Sequence, residues 1–337
     1  MYRCVLAILL SATAAFSLQV IREEADVVDL PQGENILWTD PGDVSSLDFQ
    51  SGVGGPEGQP QPPFRFVRED MSGSIPKVSV MDDRGLAWNV KWGPEARASV
   101  FCTRLLWACG YYAEHEYFLE HGRIEGAHGL KRAKSHISDD GSFKNARFQM
   151  RRGSPKFLDN YSWTWTSNPF TGTRELQGLK ILMLLVSNWD TKDARDFVET
   201  KDGRVMDSNL AIFEDDSSEQ RRYFYTDIDW GASLGRWGGI LSWSKWDCQG
   251  FAKQTAHFVK GVEVGQLKWG FSGKHRKDIA GGITVEDVQW FLQYLGRISD
   301  EQIQRGLVAS GATPGETGCY TRALRQRIEQ LQRVAND

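Results

Sequence analysis

Apolar and polar residues alternate along FRFVRED at 64–70, along PKVSVMDD, and along LAWNVKWG, with MSGS and DRG between the runs. Period-two patterning separated by turn residues predicts three successive strands. The period then lengthens. Pro94 suits a first helical position, and EARASVFCTRLLWACGYY carries an apolar stripe ending near Gly110, so a helix is expected near 94–110. Residues 117–150 read as short strands and loops, with DDGS at 139–142 as a turn. WTWTSNPFTGTREL reads as a loop entering a helix near Arg174, which GLKILMLLVSN continues as a buried apolar helix. NLAIFED and RYFYTDID, on either side of the polar turn DSSEQR, read as strands.

The C-terminal stretch is helical, and its starts are readable. Thr284 precedes VEDVQWFLQYLG, Ser299 with Gln302 forms a capping box, and Thr313-Pro314 with Glu316 forms another. ALRQRIEQLQRV closes the chain as an amphipathic helix, and no internal repeat is present. This order is that of an α+β chain in two lobes: a β-rich N-lobe over 64–170 with one key helix, then a mostly helical C-lobe over 171–337.

Two segments precede that order. MYRCVLAILLSATAAFSLQV sets one Arg before an apolar run from Cys4 to Phe16, so residues 1–17 read as a signal peptide. The expectation is a secreted or periplasmic protein without a transmembrane helix in its mature form. Residues 18–63 are rich in Gly, Pro, Asp and Ser and read as an irregular extension that wraps the domain. Cys102, Cys109, Cys248 and Cys319 remain beyond the leader, and none has zinc spacing. Cys102 and Cys109 share a helix face too far apart to bond. Cys248 and Cys319 either pair in an oxidising compartment or stay as buried thiols.

The net charge of −4 carries no basic footprint for nucleic acid. Thirteen Trp, a high number, leave open a role in stacking on sugars or bases beside the ordinary role in cores.

Three short motifs bear chemistry. The apolar helix ends in NWDTKDAR, where Asp190 and Lys192 follow the D-x-K-x-x-N spacing of phosphotransfer loops. There the Asp accepts a hydroxyl proton and the Lys balances charge on the moving phosphoryl. Arg195 stands where the cation-binding Asn is expected. Asp229-Trp230-Gly231 ends a strand as Asp-aromatic-Gly, which offers a carboxylate for Mg²⁺, a bulky anchor, and a Gly that lets the chain turn sharply. Asp227 is a second candidate. Lys91 lies in the third strand just before a helix, as does a lysine that holds nucleotide phosphates. Each motif alone is equally well a solvated turn or a surface lysine; their order along the chain is what joins them.

In that order the chain resembles the atypical protein-kinase-like superfamily, the HipA-like and phosphatidylinositol-kinase-like enzymes. It is also similar, over nearly its whole length after the leader, to a bacterial secreted family sharing VKWGPE, RLLWACGY, NPFTGTREL and ITVEDVQWF. The kinase-like resemblance covers only the motif loops around 71–110 and 180–235. It implies a two-lobed protein-kinase-like fold with ATP and Mg²⁺ between the lobes, and transfer of the γ-phosphate to a hydroxyl of an acceptor. Asp190 and Lys192 would be catalytic. Lys91, its partner Glu95, and the turn Ser72-Gly73-Ser74 would hold the nucleotide, and Asp229 with Asn209 or Asp193 would hold the metal. Asn209 enters because the long span from Asp190 to Asp229 leaves room for an inserted loop, RDFVETKDGRVMD, which returns the chain to the site.

The departures are specific. No G-x-G-x-x-G loop is present, and Ser99 sits where an acid is expected. These favour an alternative: an inactive, pseudokinase-like binding module in the cell envelope. The basic run Lys274 to Lys277 is either a solvated loop or a contact for an anionic acceptor. A glycosidase would need two facing carboxylates, for which no spacing here is specific.

Overall fold

The computed structural model describes residues 21–22, 30–71, 75–159, 161–200, 203–206 and 208–336, with the backbone alone at 21–22, 196–200 and 203–206. The leader at 1–17 and the Ser72-Gly73-Ser74 turn lie outside the described residues.

The three expected strands form: β1 (Phe64–Asp70), β2 (Lys77–Met81) and β3 (Ala87–Trp92), followed by helix α1 (Pro94–Ala108). Residues 117–150 depart from the expectation. They form two ten-residue strands, β4 (Glu116–Glu125) and β5 (Ser142–Arg151), which pair with each other. Their alternation is broken: the inward set of β5 shifts from Phe143 to Ala146 and Phe148 at Asn145, which takes a positive φ of 54°, and polar Glu116, Arg147 and Gln149 are buried. The five strands close into a barrel in the order β1-β2-β3-β5-β4, sealed by parallel pairing of Phe64 with Ile124. Phe64, Val78, Val80, Trp88, Val90 and Phe148 fill it. Strand β3 turns Trp88, Val90 and Trp92 inward, so Ala87, Asn89 and Lys91 face out.

A second core gathers on helix α2 (Arg174–Leu185), which is buried almost all round. Around it pack α3 (Cys248–Thr255), α4 (Val285–Leu295), α5 (Asp300–Ala309) and α6 (Pro314–Asn336), along with one face of α1. Reciprocal boxes cap α4 at Thr284/Asp287 and α5 at Ser299/Gln302. Thr313 and Glu316 exchange the same pair of bonds at the start of α6. Cys248 and Cys319 form a disulfide that ties α3 to α6, while Cys102 and Cys109 are buried free thiols. The chain is thus α+β, with a closed barrel beside a helical body and several small sheets.

The N-terminal extension is part of this body. Glu34–Ile36 adds a parallel edge to β7 (Arg222–Asp227), which pairs with β6 (Leu210–Asp215). Leu37, Val44 and Phe49 are buried in the helical core. Its irregular backbone is held by side chains from elsewhere: Gln302 donates to Val44 O at 2.8 Å and Arg104 to Phe49 O at 2.7 Å. The stretch between α2 and β6 forms a hairpin of Asp196–Thr200 and Gly203–Met206, with Ile21–Arg22 on its outer edge. Among the described residues no helix is long and apolar enough to cross a membrane.

One buried cation organises the end of α2. Arg327 of α6 donates to Leu185 O at 2.8 Å, Ser187 Oγ at 2.7 Å, Phe251 O at 3.1 Å and Thr255 Oγ1 at 2.9 Å. Burial lowers its pKa to about 9, which leaves it protonated at neutral pH. It satisfies terminal carbonyls that would otherwise be orphaned, just where Ser187 takes a positive φ of 52°. Arg327→Ala is expected to cost at least ~3 kcal/mol, because several buried acceptors lose their donor at once. Chemical denaturation of the variant and the parent measures the difference.

Candidate functional site

The site is built where the outer face of the barrel meets the helical body. Lys91 leaves β3 on that face, and Glu95 follows it on the first turn of α1. The two are paired at 2.9 Å and are both largely buried. Glu95 also accepts from a second ammonium, that of Lys245, through its other oxygen. Burial pushes the Glu95 carboxyl up and Asp229 adds to this, but Lys91 and Lys245 outweigh both and hold it below its ordinary value.

Asp229 stands at the end of β7. Burial raises its carboxyl, but Lys91, the Gly231 N–H, Lys245 and Arg147 together hold it below the usual range. Its Oδ1 accepts the Gly231 N–H at 3.0 Å. Trp230 anchors the turn from beneath, buried and donating to Asp227 O at 2.9 Å. Gly231 lies in the expected turn, closed by the Ser233 N–H bond to Trp230 O at 3.1 Å, but without a positive φ. A Cβ there would lie 2.9 Å from Glu95 Cβ and 3.0 Å from Asp229 Oδ1. The glycine lets two carboxylate side chains approach each other across the junction.

Asp190 follows the end of α2. Asn188, fully buried, holds both acidic segments: it donates to Asp229 O at 3.1 Å and accepts the Asp190 N–H at 3.3 Å. Asn209, returned by the inserted hairpin, donates its side-chain amide to Asp190 O. Its own N–H bonds Lys192 O at 2.9 Å, and its carbonyl accepts the Ile228 N–H at 2.9 Å. The donation uses Nδ2, which leaves Oδ1 as the end able to ligate. Lys91, Glu95, Asp190, Asn209 and Asp229 therefore belong to one connected junction.

Asp193 differs. Sequence reading grouped it with metal ligands, but both of its oxygens are taken by Arg195, at 2.6 Å and 3.0 Å, and Arg195 also reaches Asp278 at 3.0 Å. A carboxylate closed by a guanidinium fork is a strut for the loop. Arg195, in the place of the expected Asn, is thus structural, and Asn209 stands at the junction instead. The acid expected at Ser99 as the partner of Lys91 is instead Glu95, one turn earlier. Ser99 Oγ donates to Glu116 of β4 at 2.7 Å, which pairs with Arg147 at 2.9 Å. Of the basic run, Lys274 pairs with Asp190 at 3.2 Å and Arg276 donates to Phe271 O at 2.9 Å, so two of its cations have partners within the chain.

Asp227 completes the set. Burial pushes its carboxyl well up, and the charges of Asp229 and Asp190 push it further, against one bond from the Asp229 N–H. Its Oδ2 is buried with no hydrogen-bond partner. An orphaned buried carboxylate oxygen beside an ionised one fits a divalent cation, which would relieve both penalties. Among the described residues no group of three or more His, Cys, Asp or Glu is arranged to hold a metal. Asp229 and Asn209 offer only one or two oxygens, which is the partial set that Mg²⁺ commonly takes alongside substrate phosphates and water.

Lys245 and Asn188 escaped sequence reading, and Lys274 entered it only as part of a basic run, not as the partner of Asp190. Asn188 directly precedes Trp189-Asp190 and was open to notice there. Lys245 lies in a Gly-, Ser- and Trp-rich stretch that offers no signal. The chain matches no known protein-family model and no curated protein.

The raised Asp227 carboxyl makes a pH prediction. A buried acid with a raised folded-state pKa binds its proton more tightly when folded, so stability falls as pH rises above the ordinary value of 3.8. Asp227→Asn lacks that loss. It is expected to melt at a higher temperature than the parent at pH 7, with the gap closing as pH falls toward 4, in buffers without divalent cations. Thermal unfolding across that pH range measures it.

Proposed function

We propose that the protein is an ATP- and Mg²⁺-dependent phosphotransferase with a two-lobed, protein-kinase-like architecture, transferring the γ-phosphoryl group to a hydroxyl. The single observation carrying this reading is the meeting of Lys91, Glu95, Asp229, Asn209 and Asp190, dispersed along the chain, at one junction. A lysine on the third barrel strand, paired with a glutamate on the next helix, is what phosphate positioning requires.

Each residue then has a part. Glu95 holds the Lys91 ammonium extended toward the α- and β-phosphates. Asp229, kept ionised by its cationic neighbours, and Asn209 Oδ1 supply hard oxygen ligands. When bound, Mg²⁺ would offset charge on the phosphate oxygens. Asp190 orients the acceptor hydroxyl and takes its proton as the new oxygen–phosphorus bond forms. The bond between the γ-phosphorus and the β,γ-bridging oxygen breaks, and the nucleoside diphosphate leaves with that electron pair. Lys192, two residues on, offsets charge in transfer. Positioning and electrostatics provide the rate, with little covalent work for the protein.

One observation favours a second reading, a nucleotide-binding module without turnover: Asp190 is held by Lys274 at 3.2 Å, so an acceptor hydroxyl must displace an ammonium to reach it. The same experiment separates the two. Asp190→Ala is expected to lower γ-phosphoryl transfer, including hydrolysis to water, by about 10²–10⁴-fold, with nucleotide affinity within about threefold of the parent. Lys91→Met is expected to weaken Mg·ATP binding by roughly 10–100-fold, the loss of a charge-assisted hydrogen bond. A parent that binds Mg·ATP yet transfers nothing to any hydroxyl, water included, establishes the non-catalytic reading. Unchanged turnover in Asp190→Ala rules out its assignment.

A further inference from the structure

Glu95 accepts two ammonium groups, and only one of them comes from the barrel. The second belongs to Lys245, which lies in the segment between β7 and α3, far beyond the Asp-Trp-Gly turn. We propose that Lys245 is a second phosphate-binding lysine, one that engages the transferred phosphoryl group of a nucleoside triphosphate and uses Glu95 as its resting partner. The proposal rests on the nucleotide reading given above and adds a residue and a role to it.

Four observations carry it. First, Lys91 and Lys245 occupy separate oxygens of one carboxylate, so two largely buried cations are held side by side. Like charges so placed repel, and Asp229 shares in balancing them. With Asp229 engaged by a metal, Glu95 alone would be left for both lysines, and a phosphate bridging them would relieve the repulsion. Second, a Cβ at Gly231 would meet both Glu95 Cγ and Asp229 Oδ1 at 3.0 Å, so the carboxylate that Lys245 pairs with lies close to the one assigned to the metal. Third, its ammonium lies over the rings of Trp189, at 5.4 Å, and Trp243, at 5.7 Å. The same Trp189 ring carries Lys274 at 5.3 Å, the ammonium paired with Asp190, so Lys245 lies between the Glu95 carboxylate and the aromatic surface next to the acceptor side.

Fourth, the segment that delivers Lys245 is anchored on both sides of it. Leu234 N–H bonds Val186 O at 2.8 Å, Trp189 Nε1 bonds Ser244 O at 3.2 Å, and Asp247 N–H bonds Leu234 O at 2.8 Å. Asp247 then caps α3 through the Gly250 N–H. The exposed tip of this segment, at Ile240 and Leu241, lies several residues away. Lys245 is therefore presented from fixed backbone, as a phosphate ligand needs to be. Its charge also answers a feature of the sequence, the absence of a glycine-rich loop with backbone donors for the terminal phosphates.

The test compares a triphosphate with a diphosphate. Lys245→Met and Lys245→Arg are titrated calorimetrically with Mg²⁺ and the non-hydrolysable β,γ-imido analogue of ATP, and separately with Mg·ADP. Lys245→Met is expected to lose at least tenfold in affinity for the triphosphate analogue while staying within threefold of the parent for ADP. Retained ADP binding also reports that the variant is folded. Lys245→Arg is expected to recover most of the loss. Equal losses for both nucleotides, or none for either, would make Lys245 a strut between the segment and α1 and overturn the proposal. A parent that binds neither nucleotide would sink the nucleotide reading itself, and this proposal with it.

Discussion

The Glu95 carboxylate is the point on which the two halves of the molecule depend. It sits on the first turn of α1, in contact with the barrel through Lys91 and with the helical body through Lys245. Gly231 has no side chain because Glu95 fills that space. One buried acid thus fixes the approach of β3, the Asp-Trp-Gly turn and the segment leading to α3. The arrangement is costly unless every charge is matched, because desolvation opposes each ionised form. Lys91 and Lys245 against Glu95 and Asp229 meet that condition; Arg147 against Glu116 meets it one layer further out. Asp227 is left unmatched, and burial pushes its carboxyl well up.

The helical body does for Asp190 what Glu95 does for the barrel side. Helix α2 is buried almost all round, so its direction is set by packing. Arg327 gathers the carbonyls at its end together with α3, and Asn188 carries that order to the backbones of Asp190 and Asp229. Rigid elements therefore deliver the acidic groups while short loops present them, an arrangement suited to chemistry that works by placement. The N-terminal extension belongs to the same scaffold. Its buried Val44 and Phe49 and its bonds to Gln302 and Arg104 make it part of the body that holds α1 in place.

The three strands before α1 were legible because alternation is strong where one face packs a barrel interior and the other is polar. Strands β4 and β5 were not, since a shift at Asn145 and buried polar residues break their period, and barrel closure depends on Phe64 meeting Ile124 across a long stretch of chain. Lys91, Asp190 and Asp229 were legible as residue types at motif spacings. Asp193 was misread because its spacing resembles that of a ligand, whereas Arg195 two residues on closes both of its oxygens. Lys245 was invisible: no local pattern marks a lysine whose partner lies 150 residues away.

The amino-acid order by itself determined the three strands before α1, the strands flanking DSSEQR and the starts of α1, α4, α5 and α6, because periodicity and capping act over a few residues. It also placed the candidate acids and lysine along the chain. Tertiary structure alone decided which of them face one another and which are taken up by neighbours. It also decided that Asn209 rather than Asp193 stands at the junction, and that a second lysine shares Glu95. The reason is that charge pairing and burial act through space, between groups whose separation along the chain carries no trace of the contact.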